Sequence, residues 1–438
     1  MYKIMALAMT AAMVVPMAAQ TTAFAADDKE ITYWNIAVES PDKDILTAAV
    51  DKFNKETKSG YTVNQVAIQN DTYKEKLVIA MSSGECPDMY SSWSGGPMYE
   101  YIDSGFAQPI DDLLDQSDIK DKLLDAAIEQ GSYNGHVYAI PYLNVSLAGI
   151  FYNKDMFEKA GITEVPTSLE GILAIGDDLK TKGGAGEPLA LSIYGWYFEQ
   201  WLCKQGLSYA DNGNGRDAAA TAVEFDSNGG ALNILNEWKA LNDADVAPNV
   251  GRAGSDTATT DFTSGKAAIT LGSTASLKQI LQDVNGSFEV GTAYFPTIKD
   301  GDEGGVSIGG ASLWALNNND PKKLRATWEF VKFLISPESQ AYWNAQTGYF
   351  PVTVKAQEEQ VFKDNVAKYP QFQTAIDQLH DSSADYVGAL LSVFPEARAT
   401  VESEIESMLN GKEDVDTAVK NMADSINKSI EEYNLVNE

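Results

Sequence analysis

Between Ile31 and Tyr90 the sequence changes its hydrophobic period four times, and this alternation restricts the fold more than any other feature. Ile31–Ile36 is strand-like, and Asp44–Glu56 sets Ile45, Leu46, Ala49, Val50 and Phe53 on one helical face. Tyr61–Ile68 reads as a second strand. Tyr73, Leu77 and Ala80 put Asp71–Ser82 on a second helix, which Gly84-Glu85-Cys86-Pro87 ends before the apolar Met89-Tyr90. The order β-α-β-α-β implies a mostly parallel sheet with helices on its faces, because parallel neighbours need a crossover.

A second α/β region starts near Val137. Ala148–Tyr152 is a short apolar strand, and Pro166-Thr167-Ser168-Leu169-Glu170 reads as a capping box opening the helix Leu169–Lys180. Gly183–Pro188 and Asp211–Arg216 read as loops. Leu232, Leu235 and Trp238 place Asn228–Leu241 on a helix, and Ala267–Leu271 is a strand whose turn, Gly272-Ser273-Thr274, feeds the helix Ala275–Val284. After the Gly-dense stretch Gly301–Gly310 comes the strand Ser312–Leu316, then a helix capped by Asp320 with Pro321 at its first position. The last 75 residues read as helical, with Val415, Ala418, Met422, Ile426 and Ile430 as the apolar stripe of the final helix.

At 438 residues the chain is long enough for two domains. Its 32 basic and 63 acidic residues give a net charge of −31, and only Arg216, Arg252, Arg325 and Arg398 are arginines. That balance argues against nucleic acid, whose phosphates are held by clustered Lys and Arg. Lys3, the apolar run Ile4–Ala19 and Ala23-Phe24-Ala25 form a secretory signal pattern, so residues 1–25 are expected to be removed after Ala25. No lipidated cysteine follows it. The expectation is an exported protein of the periplasm or cell surface. Cys86 and Cys203 enter an oxidising setting, where they either pair or stay buried as thiols, the second being favoured because they fall in different halves.

Catalytic chemistry finds little support. His136 sits in a turn and His380 in a polar segment, neither with a nucleophile or metal-ligand spacing. Gly301–Gly310 lacks the Walker lysine and the G-x-G-x-x-G spacing. No catalytic residue, metal or cofactor is therefore expected. A secreted glycoside hydrolase stays open as an alternative, since it needs only two carboxylates among the 63 acids.

Several blocks, in order, resemble one family. They are Phe151-Tyr152-Asn153-Lys154-Asp155-Met156-Phe157 with Ala160-Gly161-Ile162, then Asp261-Phe262-Thr263-Ser264-Gly265-Lys266, then Gly309-Gly310-Ala311-Ser312-Leu313-Trp314, and then Thr347-Gly348-Tyr349-Phe350-Pro351. From Ile31 to Ile430 the chain resembles the extracellular solute-binding proteins of ABC importers, family 1, and most of all their sugar- and glycerol-3-phosphate-binding branch. The resemblance implies a two-lobed α/β fold of the periplasmic-binding-protein type II, hinged between lobes. On this chain it implies lobe 1 at 26–142 and 291–349, and lobe 2 at 143–290 and 350–438. It also implies a monomer that captures a sugar, an oligosaccharide or a glycerol-phosphate-type ligand and delivers it to permease subunits. A sensing role would use the same closed form.

Sugar sites pair flat aromatic faces with amides and hydroxyls at strand ends. Trp34 in the first strand fits either a core or a ligand role. Trp93 after the third strand and Trp196 in the Gly-flanked Tyr194-Gly195-Trp196-Tyr197 are expected in exposed turns at the ligand. By resemblance, ligand contacts fall at Tyr73, Ser146, Trp196, Ser273, Gly310, Tyr349 and Arg398. Arg398 suits bidentate pairing with phosphate or vicinal hydroxyls; its structural alternative is an ion pair with Glu402, four residues on. Ser94 stands where that branch carries an acidic hydroxyl reader, which shifts the expectation toward a larger sugar, an oligosaccharide or a glycerophosphodiester.

Overall fold

In the computed structural model, β1 (Glu30–Asn35) lies between β2 (Thr62–Ala67) and β3 (Met89–Trp93), both parallel to it, with Asp42–Glu56 and Asn70–Ser83 as the crossover helices. The structure describes residues 29–437 apart from 39–41, 85, 94–100, 103, 104, 106, 118, 253, 316–319, 383 and 384. The leader expected at 1–25 lies outside them, as does Ser94. β4 (Ser132–Tyr133) and β5 (His136–Val137) form a hairpin whose Asn134-Gly135 tip takes φ of 48° and 75°, the left-handed pair that suits a tight two-residue turn.

β6 (Ala139–Ser146) is followed after Leu147 alone by β7 (Ala148–Asn153). β8 (Glu187–Ala190), β9 (Ala267–Ser273), β10 (Val290–Tyr294) and β11 (Gly309–Ala315) complete two separate sheets. The first has the order β2-β1-β3-β11-β6 and the second β10-β7-β9-β8. In the first, β11 runs antiparallel to β3 and β6; in the second, β7 runs antiparallel to β9 and β10. Neither reversal was expected from the β-α-β-α-β pattern, since β11 arrives from more than two hundred residues downstream of β3.

Chain passages between the sheets fall a little later than the expected lobe boundaries. Residues 143–146 belong to β6 and so to the first sheet. Residues 291–294 belong to β10, and Gln200 holds Ser307 through both its backbone and its hydroxyl, so 291–307 stay with the second. Residues 350–353 stay with the first, because Phe350 donates to Val145 and Leu124 to Val352.

Local signals built the helices as expected at several points. Ser168 Oγ accepts the Gly171 N–H at 2.9 Å, and Asp320 caps the helix Pro321–Leu334 through the N–H groups of Lys322 and Lys323. Of the residues that set the helical spacing, Leu235 and Trp238 are buried while Leu232 is exposed, and Ile234 completes the buried face. Cys86 and Cys203 are both free thiols; burial pushes Cys203 up to about 11. His136 pairs with Asp111 and His380 with Gln357, both exposed. Among the described residues no helix is long and apolar enough to cross a membrane.

The helix Gly195–Lys204 is buried at every residue. Its last residue, Lys204, is 7% exposed and has no carboxylate partner among the described residues, and burial depresses its ammonium to about 8. The folded state therefore binds this proton less readily than the unfolded chain, which destabilises the fold below pH 8. The penalty is relieved as pH rises from 8 toward 10.5. Lys204→Met is expected to raise stability at pH 7 by at most about 3 kcal/mol. In denaturant titrations its advantage over wild type should shrink between pH 8 and 10. A variant less stable than wild type at pH 7 would show that the ammonium has a favourable partner.

Candidate functional site

The two sheets present matching ends to each other. Ser91 and Ser92 lie near the C-terminal end of β3, Asn144 and Ser146 end β6, and Gly309 and Gly310 begin the reversed β11. From the other side come Leu271, Gly272 and Ser273 at the end of β9. Carboxyl ends of strands are where open α/β sheets leave a crevice. Between them lies a cavity of about 640 Å³ lined by these residues together with Ile36, Tyr73, Tyr194, Trp196, Tyr197, Ser255, Thr259, Tyr349, Pro395 and Arg398. Its size falls within the range of small-molecule sites.

Seven of the ten expected site residues, Tyr73, Ser146, Trp196, Ser273, Gly310, Tyr349 and Arg398, line this one cavity. Trp34 does not. It is half-buried in β1 and packs against the cluster of Tyr73, Tyr90 and Trp314, while its carbonyl accepts the Tyr73 hydroxyl at 3.1 Å. β1 is an inner strand whose side chains alternate between a buried face, with Ile31 and Tyr33, and a half-buried face that carries Trp34. The Trp93 side chain and Ser94 lie outside the described residues. Trp196 is a partial correction as well. It is on the first turn of a helix rather than in an exposed turn, and is only 8% exposed, with Tyr194 and Tyr197 rings 6.1 and 6.2 Å away.

Buried hydroxyls support the cavity floor. Tyr142 donates to Ser91 Oγ at 2.8 Å and exchanges a second 2.8 Å bond with Tyr33. Burial pushes Tyr142 up to about 12, so it remains a protonated donor that orients Ser91. On the second sheet Tyr197 donates to the Leu271 carbonyl at 2.9 Å, and Ser273 Oγ caps the turn at Ala275. Asn144 Oδ1 is buried and has no hydrogen-bond partner among the described residues.

Arg398 is held by Glu199, a partner that the structural alternative of a Glu402 ion pair did not include. Its Nε and Nη2 donate to Glu199 Oε1 at 2.5 Å and Oε2 at 2.8 Å, a fork-to-fork pair with side chains 14% and 9% exposed. Glu402 instead accepts the Gly195 N–H at 2.8 Å, placing a carboxylate at the positive end of that helix. Burial pushes the Glu199 carboxyl up while Arg398 pulls it down. The helices Gly195–Lys204 and Phe394–Leu409 are thus tied by two carboxylate contacts, which fixes both Trp196 and Arg398 at the cavity wall.

Sequence reasoning missed Tyr194, Asn144, Ser255, Thr259 and Ser92. Tyr194 had a signal, its place beside Gly195-Trp196. Ser255 and Thr259 sit on the short polar helix Ser255–Thr263, whose sequence has no feature separating a cleft wall from a solvated face.

The family profile of the bacterial extracellular solute-binding proteins matches residues 48–374. The sn-glycerol-3-phosphate-binding periplasmic protein UgpB of Pectobacterium atrosepticum is 27% identical over 397 residues, which covers 87% of each chain. Among solved structures, the GacH receptor of Streptomyces glaucescens, described unliganded and with acarbose, has a TM-score of 0.75 at 21% identity, covering 92% of this chain and 98% of its own. UgpB from Mycobacterium tuberculosis in complex with glycerophosphocholine has a TM-score of 0.73 at 20% identity, covering 93% and 99%. The chain shares the two-lobed α/β fold of these proteins.

Proposed function

The chain belongs to the bacterial extracellular solute-binding proteins, and from that premise we propose that it is the substrate-binding subunit of an ABC importer, which captures a carbohydrate or a polyol phosphate between its lobes and hands it to the permease. The observation that carries this reading is the joint lining of one 640 Å³ cavity by Ser146 and Gly310 from the first sheet and Ser273 from the second. A ligand touching both sheets binds the closed arrangement better than the open one, and so shifts the population toward it. We take the lobes to be the units built on the two sheets. Trp196 and Tyr349 offer aromatic faces for a ring, and Asn144, Ser146 and Ser273 offer polar groups for its hydroxyls.

Glycoside hydrolysis needs two carboxyl groups about 5–9.5 Å apart across the bond. Glu199, behind the 640 Å³ cavity, spends both oxygens on Arg398, and recovery of a bound sugar uncleaved is the readout that separates binding from turnover.

A thermal-shift screen against neutral sugars, sugar phosphates and glycerophosphodiesters tests the proposal, because a ligand that binds only the folded state raises the melting temperature. Trp196→Ala is expected to weaken the best hit about 30-fold or more, as loss of a central aromatic anchor does. An undiminished shift would remove Trp196 from the site.

A further inference from the structure

We infer that Glu199 sets the specificity of this cleft, neutralising Arg398 so that the cleft takes a neutral oligosaccharide rather than a phosphorylated polyol. The inference rests on the reading of the cleft as a solute site. Arg398 is the sole cation among the described residues lining the 640 Å³ cavity, and a phosphate would have to be held there. Its Nε and Nη2 edge, one of the two that can fork onto an oxyanion, is engaged at 2.5 and 2.8 Å by Glu199, so a phosphate would meet a guanidinium whose charge is already balanced. The flat face of its guanidinium lies over the Phe394 ring, 5.0 Å from the centroid. A phosphate taking that edge would leave the Glu199 carboxylate, 9% exposed, without its cation. Such a loss typically lowers affinity by a factor of about 30 or more.

The adjoining space has the same bias. A second cavity of about 550 Å³ shares Thr259, Ala275, Ser276 and Tyr349 with the first, so the cleft continues past Tyr349. Its lining sets Asp42, Asp256 and Asp283 against the single ammonium of Lys278, which sits over the Tyr369 ring at 4.4 Å and bonds the Ala345 carbonyl. Carboxylates accept from sugar hydroxyls and repel a second anion. Two joined cavities with hydroxyl, amide and carboxylate walls and, among the described residues, no uncommitted cation suit a chain of neutral sugar units.

Calorimetric titration of the chain lacking residues 1–25 separates the cases, with glycerol 3-phosphate as the anionic probe and maltotriose, cellotriose, xylotriose and raffinose as neutral ones. Wild type is expected to bind one of the neutral probes at least about 30-fold more tightly than glycerol 3-phosphate. Glu199→Gln, which keeps the shape and removes the charge, is expected to bind glycerol 3-phosphate about 10-fold more tightly than wild type, and so to shrink the preference for the neutral ligand by at least that factor. Wild type preferring glycerol 3-phosphate, or a folded Glu199→Gln protein with no gain for it, would overturn the role of Glu199 and leave the solute-site reading intact. Should Glu199→Gln not fold, the wild-type comparison decides alone. If none of the five probes binds wild type, the solute-site reading fails and this inference falls with it.

Discussion

Arg398→Ala is expected to cost about 3–5 kcal/mol of stability, because it strips the cation from a buried carboxylate that keeps its charge. Glu199 lies within a helix buried at all ten residues, and no other cation pairs with it among the described contacts. The loss should depend on pH in a definite direction. Without Arg398 the Glu199 carboxyl rises further above 4.5, so the folded state holds its proton more tightly than the unfolded chain. Stability then falls as pH rises through the window between those two values, and the variant is hurt more at pH 8 than at pH 5. Replacing both partners by apolar residues, Arg398→Met with Glu199→Leu, should recover most of the loss. Equal damage from the single and double changes would mean that Arg398 acts mainly by packing on Phe394.

Gly310→Ala is the second large effect. Gly310 has φ of +100°, and a Cβ there would sit 1.8 Å from the Asn144 carbonyl oxygen in the neighbouring β6. Backbone of this kind costs a non-glycine residue about 1–3 kcal/mol, and overpacking adds about 1–3 more. The strand pairing at Gly309–Ser146 and Gly310–Val145 also sets the cleft wall, with a register shift before Ser312. The variant is therefore expected to lose about 3 kcal/mol or more in denaturant titrations and to bind its ligand poorly even when folded. Wild-type stability and affinity together would show that β11 has room to move away from β6.

What the sequence made legible follows the range of the interaction. The first three strands and two helices were readable because each is encoded by its own periodicity, and the cap at Asp320 because it involves neighbours only. The cleft was readable only through motif blocks: no local rule tells that Ser146, Ser273 and Tyr349 meet. Glu199 was invisible for the same reason, since its partner lies 199 residues away and sequence offered the nearer Glu402 instead. Trp34 stayed open between a core and a ligand role because an aromatic in a strand has the same local pattern whether its strand is inner or at the rim of a site. The scarcity of arginine drew attention to Arg398, and in the structure its charge is paired with Glu199.

The most direct test of the account is whether a ligand engages both sheets at once. Amide hydrogen exchange of the chain lacking residues 1–25, with and without the best oligosaccharide from the titration panel, measures this. The account predicts slowed exchange together at the β6–β7 passage around Ser146, at the end of β9 around Ser273 and at the start of the helix Gly195–Lys204, with the sugar recovered uncleaved. Protection confined to one sheet, or release of new reducing ends, would contradict it.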